Sequence, residues 1–323
     1  MNRFILITVF VLFAIFVCTS CDKEKGESFR SPYITGLTID NYPKVDGSTS
    51  AAPLNAIIAC KLLGISYNWV PIPYSYTQSV EPQLNEKDAE KFWNPIKSSA
   101  THQSFINLID RDVDFILNAR KMSSDEKAYA DAAGVSLIET PIALDAFIFI
   151  VHPNNPISSL TTQQIQNIYT GKITNWNEAG GNNSKITPYV RNPNSGSQEL
   201  METLVMKDLD ITEFPISYPE LVLGGMFPTI DSVAHNVNSI CYTLYYYKEQ
   251  IVTHDVNVKT IAIDGIYPDK QTISNYSYPY AAEVYAVIRS DLDESSMAYK
   301  VYEFLQTETG KQIISESEYI LIK

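Results

Sequence analysis

Apolar positions along the chain fall into short runs whose period changes from segment to segment. Over 51–63, Leu54, Ile57, Ile58 and Leu62 lie at helical spacing and predict a helix. Helices are also read at 105–109 and 124–133, with strands at 69–72, 113–117 and 136–139. A strongly apolar run over 143–152 predicts a buried strand, closed by the turn signal His152, Pro153, Asn154, Asn155, Pro156. Leu160, Ile165 and Ile168 set a helix over 161–169, and 198–207 predicts another. Strands are expected at 240–246, 260–263 and 283–288, a short strand start at 37–40, and closing helices at 297–305 and 311–314. Such alternation predicts an α/β sheet covered by helices. Residues 74–99 fit neither period. With Tyr74, Tyr76, Phe92 and Trp93 around an acidic, polar stretch, they read as an excursion over one sheet edge.

The N-terminus follows a different pattern. Met1, Asn2 and Arg3 give a positive start, residues 4–17 are almost unbroken apolar sequence, and Cys18, Thr19 and Ser20 lead to Cys21 and the polar run Asp22, Lys23, Glu24, Lys25. This is the pattern of a secretory signal, too short for comfort as a membrane span. Ser20 before Cys21 points to lipoprotein processing, with 1–20 removed, Cys21 lipidated and 21–32 a tether. Cys18 stands where that motif usually has leucine, and an uncleaved anchor helix is the alternative. Either way the body lies outside the cytoplasm.

Charge narrows the choice of partner. The net charge is −13, and loss of Arg3 with the leader makes it more negative. A chain this acidic does not offer the basic stripe that nucleic acid needs. An anion site on it has to work through locally aimed donors. Of the remaining cysteines, Cys60 and Cys241 read as two buried small hydrophobes rather than a bridge. His102, His152, His235 and His254 show no metal-ligand spacing. No metal or cofactor is expected.

Three segments share one design, a cluster of small hydroxyl residues opening a helix. The first is Asp46, Gly47, Ser48, Thr49, Ser50, leading into Ala51, Ala52 and Pro53, where proline suits a first helical turn. The second runs from Ser98 through Thr101 to Ser104. The third is Arg191, Asn192, Pro193, Asn194, Ser195, Gly196, Ser197. A helix start exposes backbone N–H groups without internal partners and a partial positive charge. Hydroxyls add donors and glycine allows close approach. Several such ends aimed at one cavity would bind a dehydrated oxyanion, with Arg191 reaching two of its oxygens and Arg120 as a second cation. One cluster alone would be an ordinary cap.

At these residues the sequence resembles the phosphate-binding proteins of ABC transporters, the PstS-like family of type II periplasmic binding proteins. Asp46 through Leu54 looks like the family's first anion loop, and Arg191-x-x-x-Ser195-Gly196-Ser197 has the spacing of its Arg-x-x-x-Ser-Gly-Thr element, with Ser197 in place of threonine. The stretch from Asn154 and Pro156 through Ile168, Tyr169, Thr170, Gly171, Lys172, Ile173, Thr174, Asn175 and Trp176 is the most distinctive, and reads as packing rather than chemistry. Residues 119–126 are similar to a family segment whose start faces the ligand. The resemblance implies two α/β lobes joined by crossover strands near 143–151 and 280–288. Lobe I would be 33–143 plus 281–323 and lobe II 144–280. It also implies a monomeric, lipid-anchored protein, not an enzyme, that captures phosphate by lobe closure and delivers it to an ABC transporter permease. The expected ligand residues are Ser48, Thr49, Ser50, Thr101, Ser104, Arg120, Arg191, Ser195, Gly196 and Ser197, with Asp46 and Asp145 as candidates for an acidic acceptor of the phosphate proton.

The departures keep other readings open. Thr101, His102, Gln103 and Ser104 stand where many relatives have a Gly-Ser-Gly-rich loop, and Ile240-Cys241-Tyr242 where relatives often have Ile-Gly-Tyr. A sulfate-like oxyanion is an alternative ligand, and an envelope sensor or scaffold an alternative role. A phosphate-ester hydrolase would need a base beside Ser48, Ser50 or Ser195. No Gly-x-Ser-x-Gly elbow or nucleotide loop is present.

Overall fold

A computed structural model describes residues 29–211, 221–253 and 255–322. The expected leader 1–20, the Cys21 lipidation site, most of the tether and His254 lie outside the described residues.

Thirteen strands are seen among the described residues. They are β1 (Val45–Gly47), β2 (Tyr67–Pro71), β3 (Gln78–Pro82), β4 (Phe115–Asn118), β5 (Leu137–Val151), β6 (Ser159–Leu160) and β7 (Thr187–Pro188), followed by β8 (Val190–Arg191), β9 (Val222–Leu223), β10 (Ser239–Leu244), β11 (Lys259–Thr260), β12 (Ala262–Ile263) and β13 (Ala281–Arg289). The main sheet runs β1-β4-β13-β5-β10-β7, with β11 also on β5. The pairs β1–β4 and β7–β10 are parallel, whereas β13 is antiparallel to both β4 and β5. The apolar run at 143–152 is the reason β5 can hold this position. From Ile142 to Val151 every residue is buried, as a strand covered on both faces requires.

The segments 136–139 and 143–152, expected as two strands, are one. Ala143 pairs with Val284 and Pro141 with Tyr285, so Ile142 bulges out. A bulge accommodates a proline that an unbroken ladder would not. The first part of β5, to Ala146, pairs with β13; the last, from Phe147, pairs with β10. One strand thus passes from one half of the sheet to the other. Phe147, Phe149, Tyr169 and Tyr242 pack around that passage, with ring centroids 5.1 to 6.3 Å apart.

The helices are α1 (Ala52–Leu63), α2 (Glu86–Trp93), α3 (Thr101–Ile109), α4 (Ser124–Ala133), α5 (Thr162–Tyr169) and α6 (Gly196–Leu200), which continues as a wider turn over Met201–Met206; all but α2, which forms inside 74–99 where neither period fits, follow periodic segments. The residues expected to start a strand at 37–40 instead enter a short 3-10 turn, Ile39–Asn41, because Asn41 folds back to accept the Thr38 N–H. Tyr169 and Trp176 are buried, and the Trp176 indole donates to the Asn238 carbonyl at 2.9 Å, which fits the packing role read for that stretch. Cys60 and Cys241 are buried and unpaired, and burial pushes both thiols up to about 12. Among the described residues no helix is long and apolar enough to cross a membrane.

Residues 74–99 become a strap. The β2–β3 hairpin leaves α1, and its far end meets the other half. Thr77 bridges to Val252, the Thr253 N–H donates to the Tyr76 carbonyl at 2.8 Å, and the Gln78 amide donates to the Gln250 carbonyl at 2.8 Å.

Asp145 sits on β5 where the halves join. One oxygen accepts from the Ala146 and Tyr246 amides at 2.8 and 2.9 Å; the other is buried without a partner. Burial pushes this carboxyl up to about 7. A folded-state value above the unfolded one means the fold binds the proton more tightly. This group's contribution to stability is therefore present below the ordinary carboxylate range and is lost as pH rises through about 7. Asp145→Asn is expected to raise the melting temperature at about pH 8 and to change it little at about pH 3, as read by calorimetry.

Candidate anion-binding site

Three chain segments open helices or turns toward one small cavity of about 50 Å³. From one half come Ser48, Thr49, Ser50, Ala100, Thr101 and Ala119; from the other come Arg191, Ser195, Gly196, Ser197, Met226 and Leu244. Pockets for drug-sized ligands are roughly 300–1,000 Å³, so this one suits a single small polyatomic ion.

The local sequence explains each wall. Ser48 caps the turn Thr49–Ala51 by accepting the Ala51 N–H at 3.3 Å, and its hydroxyl lies 3.2 Å from that of Ser50. Ser195 caps α6 through the Gln198 N–H. Among the described residues, the amides of Thr49, Ser50, Thr101, Gly196 and Ser197 donate to no protein acceptor. Helix starts leave such groups for a ligand. The wall residues meet closely: a Cβ on Gly196 would lie 2.5 Å from the Thr101 hydroxyl, so the two halves fit only with glycine there.

Ala100 has φ 67° and ψ 166°, a region nearly reserved for glycine. Such strain costs on the order of 1–3 kcal/mol. Ala100→Gly is expected to stabilise the protein by about 1 kcal/mol after the added chain flexibility is offset, a difference that thermal or urea unfolding resolves.

Arg191 supplies the charge. Its side chain is 7% exposed, with Nε donating to the Leu223 carbonyl and Nη1 to the Ser197 hydroxyl, both at 2.9 Å. No carboxylate pairs with it among the described residues, and its Nη2 makes no protein hydrogen bond there. Burial lowers its pKa from the ordinary arginine value, yet a guanidinium keeps its proton in proteins. The backbone below is pinned too. The Arg191 N–H donates to the Tyr242 hydroxyl at 3.0 Å and to Gln198 Oε1 at 3.2 Å, and the Tyr242 hydroxyl itself donates to Gln198. Neither Tyr242 nor Gln198 was expected as a support. Their signal, an apolar strand ending in tyrosine and a glutamine in a helix's first turn, is too common to read.

Four expected site residues lie elsewhere. Arg120 is spent on Glu126, with Nη1 and Nη2 at 2.7 and 2.8 Å from its two oxygens, and Nη1 also reaches the Lys121 carbonyl. Arg120 lines a separate cleft of about 610 Å³, together with Lys121 and the carboxylates Glu199, Glu202 and Glu283. Ser104 donates to the Thr101 carbonyl at 2.8 Å and exchanges hydrogen bonds with Asn118, so it ties α3 to β4. Asp46 accepts from the Gly47 and Ser99 amides and from the Asn107 side chain at 2.7 to 2.8 Å, stapling two cavity loops together from behind. Asp145 belongs to the joint described above. Among the described residues no acidic side chain lines the cavity.

The model of the PBP superfamily domain matches residues 42–308. The chain belongs to that superfamily. Among curated proteins, this superfamily member is 26% identical over 187 residues to the phosphate-binding protein PstS of Borreliella burgdorferi, covering 57% of this chain and 66% of the relative. It is 26% identical over 199 residues to PstS of Bacillus subtilis, covering 61% of each. The match thus spans just under two thirds of these relatives. A substrate-binding protein of Clostridium perfringens crystallised with bound phosphate superposes with TM-score 0.61 at 25% identity, covering 86% of this chain and 98% of its own. An ABC-type phosphate transport receptor from Vibrio cholerae superposes with TM-score 0.60 at 20% identity, covering 87% and 100%. The fold is that of the type II periplasmic binding proteins.

Proposed function

We propose that this superfamily member is an extracytoplasmic solute-binding protein that captures phosphate between two lobes and hands it to an ABC transporter. The observation that carries the reading is Arg191, a buried guanidinium with no carboxylate partner among the described residues, beside unpaired amides and hydroxyls in a cavity the size of one small anion. Leaving a buried charge uncompensated is costly, and a bound dianion would supply the missing partner. Relatives that are 26% identical bear the name phosphate-binding protein, which supports the same ligand.

In this reading lobe I is 33–143 plus 281–323, lobe II is 144–280, and β5 with β13 forms the crossover. An open cleft admits the hydrated anion. Closure brings Gly196 against Thr101 and aims the three helix starts at the oxygens. In the water-poor site each charge-assisted hydrogen bond contributes about 1.5–3 kcal/mol. Residues 1–20 act as a lipoprotein signal and Cys21 carries the lipid, which holds a monomer at the outer face of the membrane near its permease. Ser48, Ser50 and Ser195 serve as donors and caps, not nucleophiles.

Calorimetric titration of the ligand-stripped protein with phosphate tests the ligand. Saturable one-to-one binding without turnover of a chromogenic phosphate ester is expected, and absence of binding would refute the reading. Metabolic labelling with palmitate, lost in Cys21→Ala, tests the anchor.

A further inference from the structure

Among the described residues, every polar side chain that lines the cavity is a donor or a rotating hydroxyl. Of its twelve lining residues none is Asp, Glu or His. The carboxylates closest in the chain are committed elsewhere: Asp46 to Gly47, Ser99 and Asn107, and Glu126 to Arg120, Ser123 and His102. Asp145 turns one oxygen to Ala146 and Tyr246 and lines no part of the cavity. Glu199 faces the other cleft with Glu202.

This donor set has a consequence for selectivity. Phosphate near neutral pH carries a proton that needs an acceptor, whereas sulfate carries none. A fixed buried acceptor separates the two strongly, because the unprotonated anion leaves it unpaired and is repelled by its charge. A hydroxyl does not. It accepts a hydrogen bond from a protonated oxygen in one rotamer and donates one to an ionised oxygen in another. Ser48, Thr49, Ser50, Thr101, Ser195 and Ser197 can each make that turn, and Arg191 with the free amides only donates.

Building on the anion-binding reading above, we propose that this cavity selects size, tetrahedral shape and charge but not protonation state, so that its ligand class is the tetrahedral oxyanions, sulfate as well as phosphate. Phosphate is then favoured as its dianion, and its affinity rises with pH through its second ionisation. Sulfate affinity stays level over the same interval.

The test is calorimetric titration of the stripped protein with sodium phosphate and with sodium sulfate, on both sides of that ionisation. The expected result is sulfate within about tenfold of phosphate, level in pH. Phosphate binding with sulfate weaker by more than about a hundredfold overturns the inference and leaves the anion-binding reading intact. Failure of both anions overturns that reading and the inference with it. Ala119→Asp places a carboxylate on the cavity wall. It is expected to reduce the ratio of sulfate to phosphate affinity by about a hundredfold or more, and an unchanged ratio overturns the donor-only explanation.

Discussion

Arg191→Ala is expected to lower phosphate affinity by roughly 10²- to 10⁴-fold without unfolding the protein. The estimate takes two lost charge-assisted hydrogen bonds at about 1.5–3 kcal/mol each, with about 1.4 kcal/mol per tenfold. The companion effect has the opposite sign. Without ligand the guanidinium is buried with no carboxylate beside it among the described residues, which is an unfavourable arrangement. Arg191→Met keeps much of the volume and removes the charge, so its melting temperature without phosphate should equal or exceed that of the parent. Only the parent should then gain stability on adding phosphate, since stabilisation by mass action requires binding. Titration calorimetry reads the first effect and scanning calorimetry the second. Unchanged affinity would remove Arg191 from the site. Arg191→Lys keeps the charge but loses the fork, and should fall between parent and alanine.

The second large effect comes from a single methyl group. In Gly196→Ala the new Cβ would stand 2.5 Å from the Thr101 hydroxyl, a separation that real atoms do not tolerate. Either the hydroxyl turns away from the cavity or the two halves stay apart. Both outcomes weaken binding, by about tenfold to a hundredfold if one or two hydrogen bonds are lost. Small-angle scattering separates them. If closure is blocked, phosphate will contract the parent but not the variant. If only the hydroxyl moves, both will contract, and Thr101→Ala will match the affinity loss of Gly196→Ala. An unaltered affinity would mean that the cavity walls need not meet.

Much of the fold could be read from the chain because its signals are local. The apolar run that became β5, and the caps Ser123, Thr161 and Ser195, need only neighbouring residues to be recognised. The hydroxyl clusters around Ser48 and Ser195 were legible for the same reason. Arg120 was misread because its partner is reached through space, although a hint was present. Ser123 and Glu126 form a capping box, and that glutamate turns back toward the residues before its helix. Ser104 lies in the first turn of α3 and reaches Asn118, a contact set by how α3 lies on β4. Asp46, a candidate for the acidic acceptor, is instead a staple because it accepts from Ser99 and Asn107. The strap formed by β2 and β3 was beyond reach, since its partners are Gln250, Val252 and Thr253.

The place of β13 bears on the order in which the chain can fold. It lies between β4 and β5, and although those two strands are neighbours in sequence, β13 is the last strand to be synthesised. Until residues 281–289 emerge, β4 and β5 have unpaired edges and no means of joining. Such distant pairing makes closure late and slow relative to local helix formation. A nascent chain therefore cannot join β4 to β5 until nearly its full length has been made. A fragment ending before residue 281 should likewise not form a cooperative domain, however much of the anion cavity it encodes.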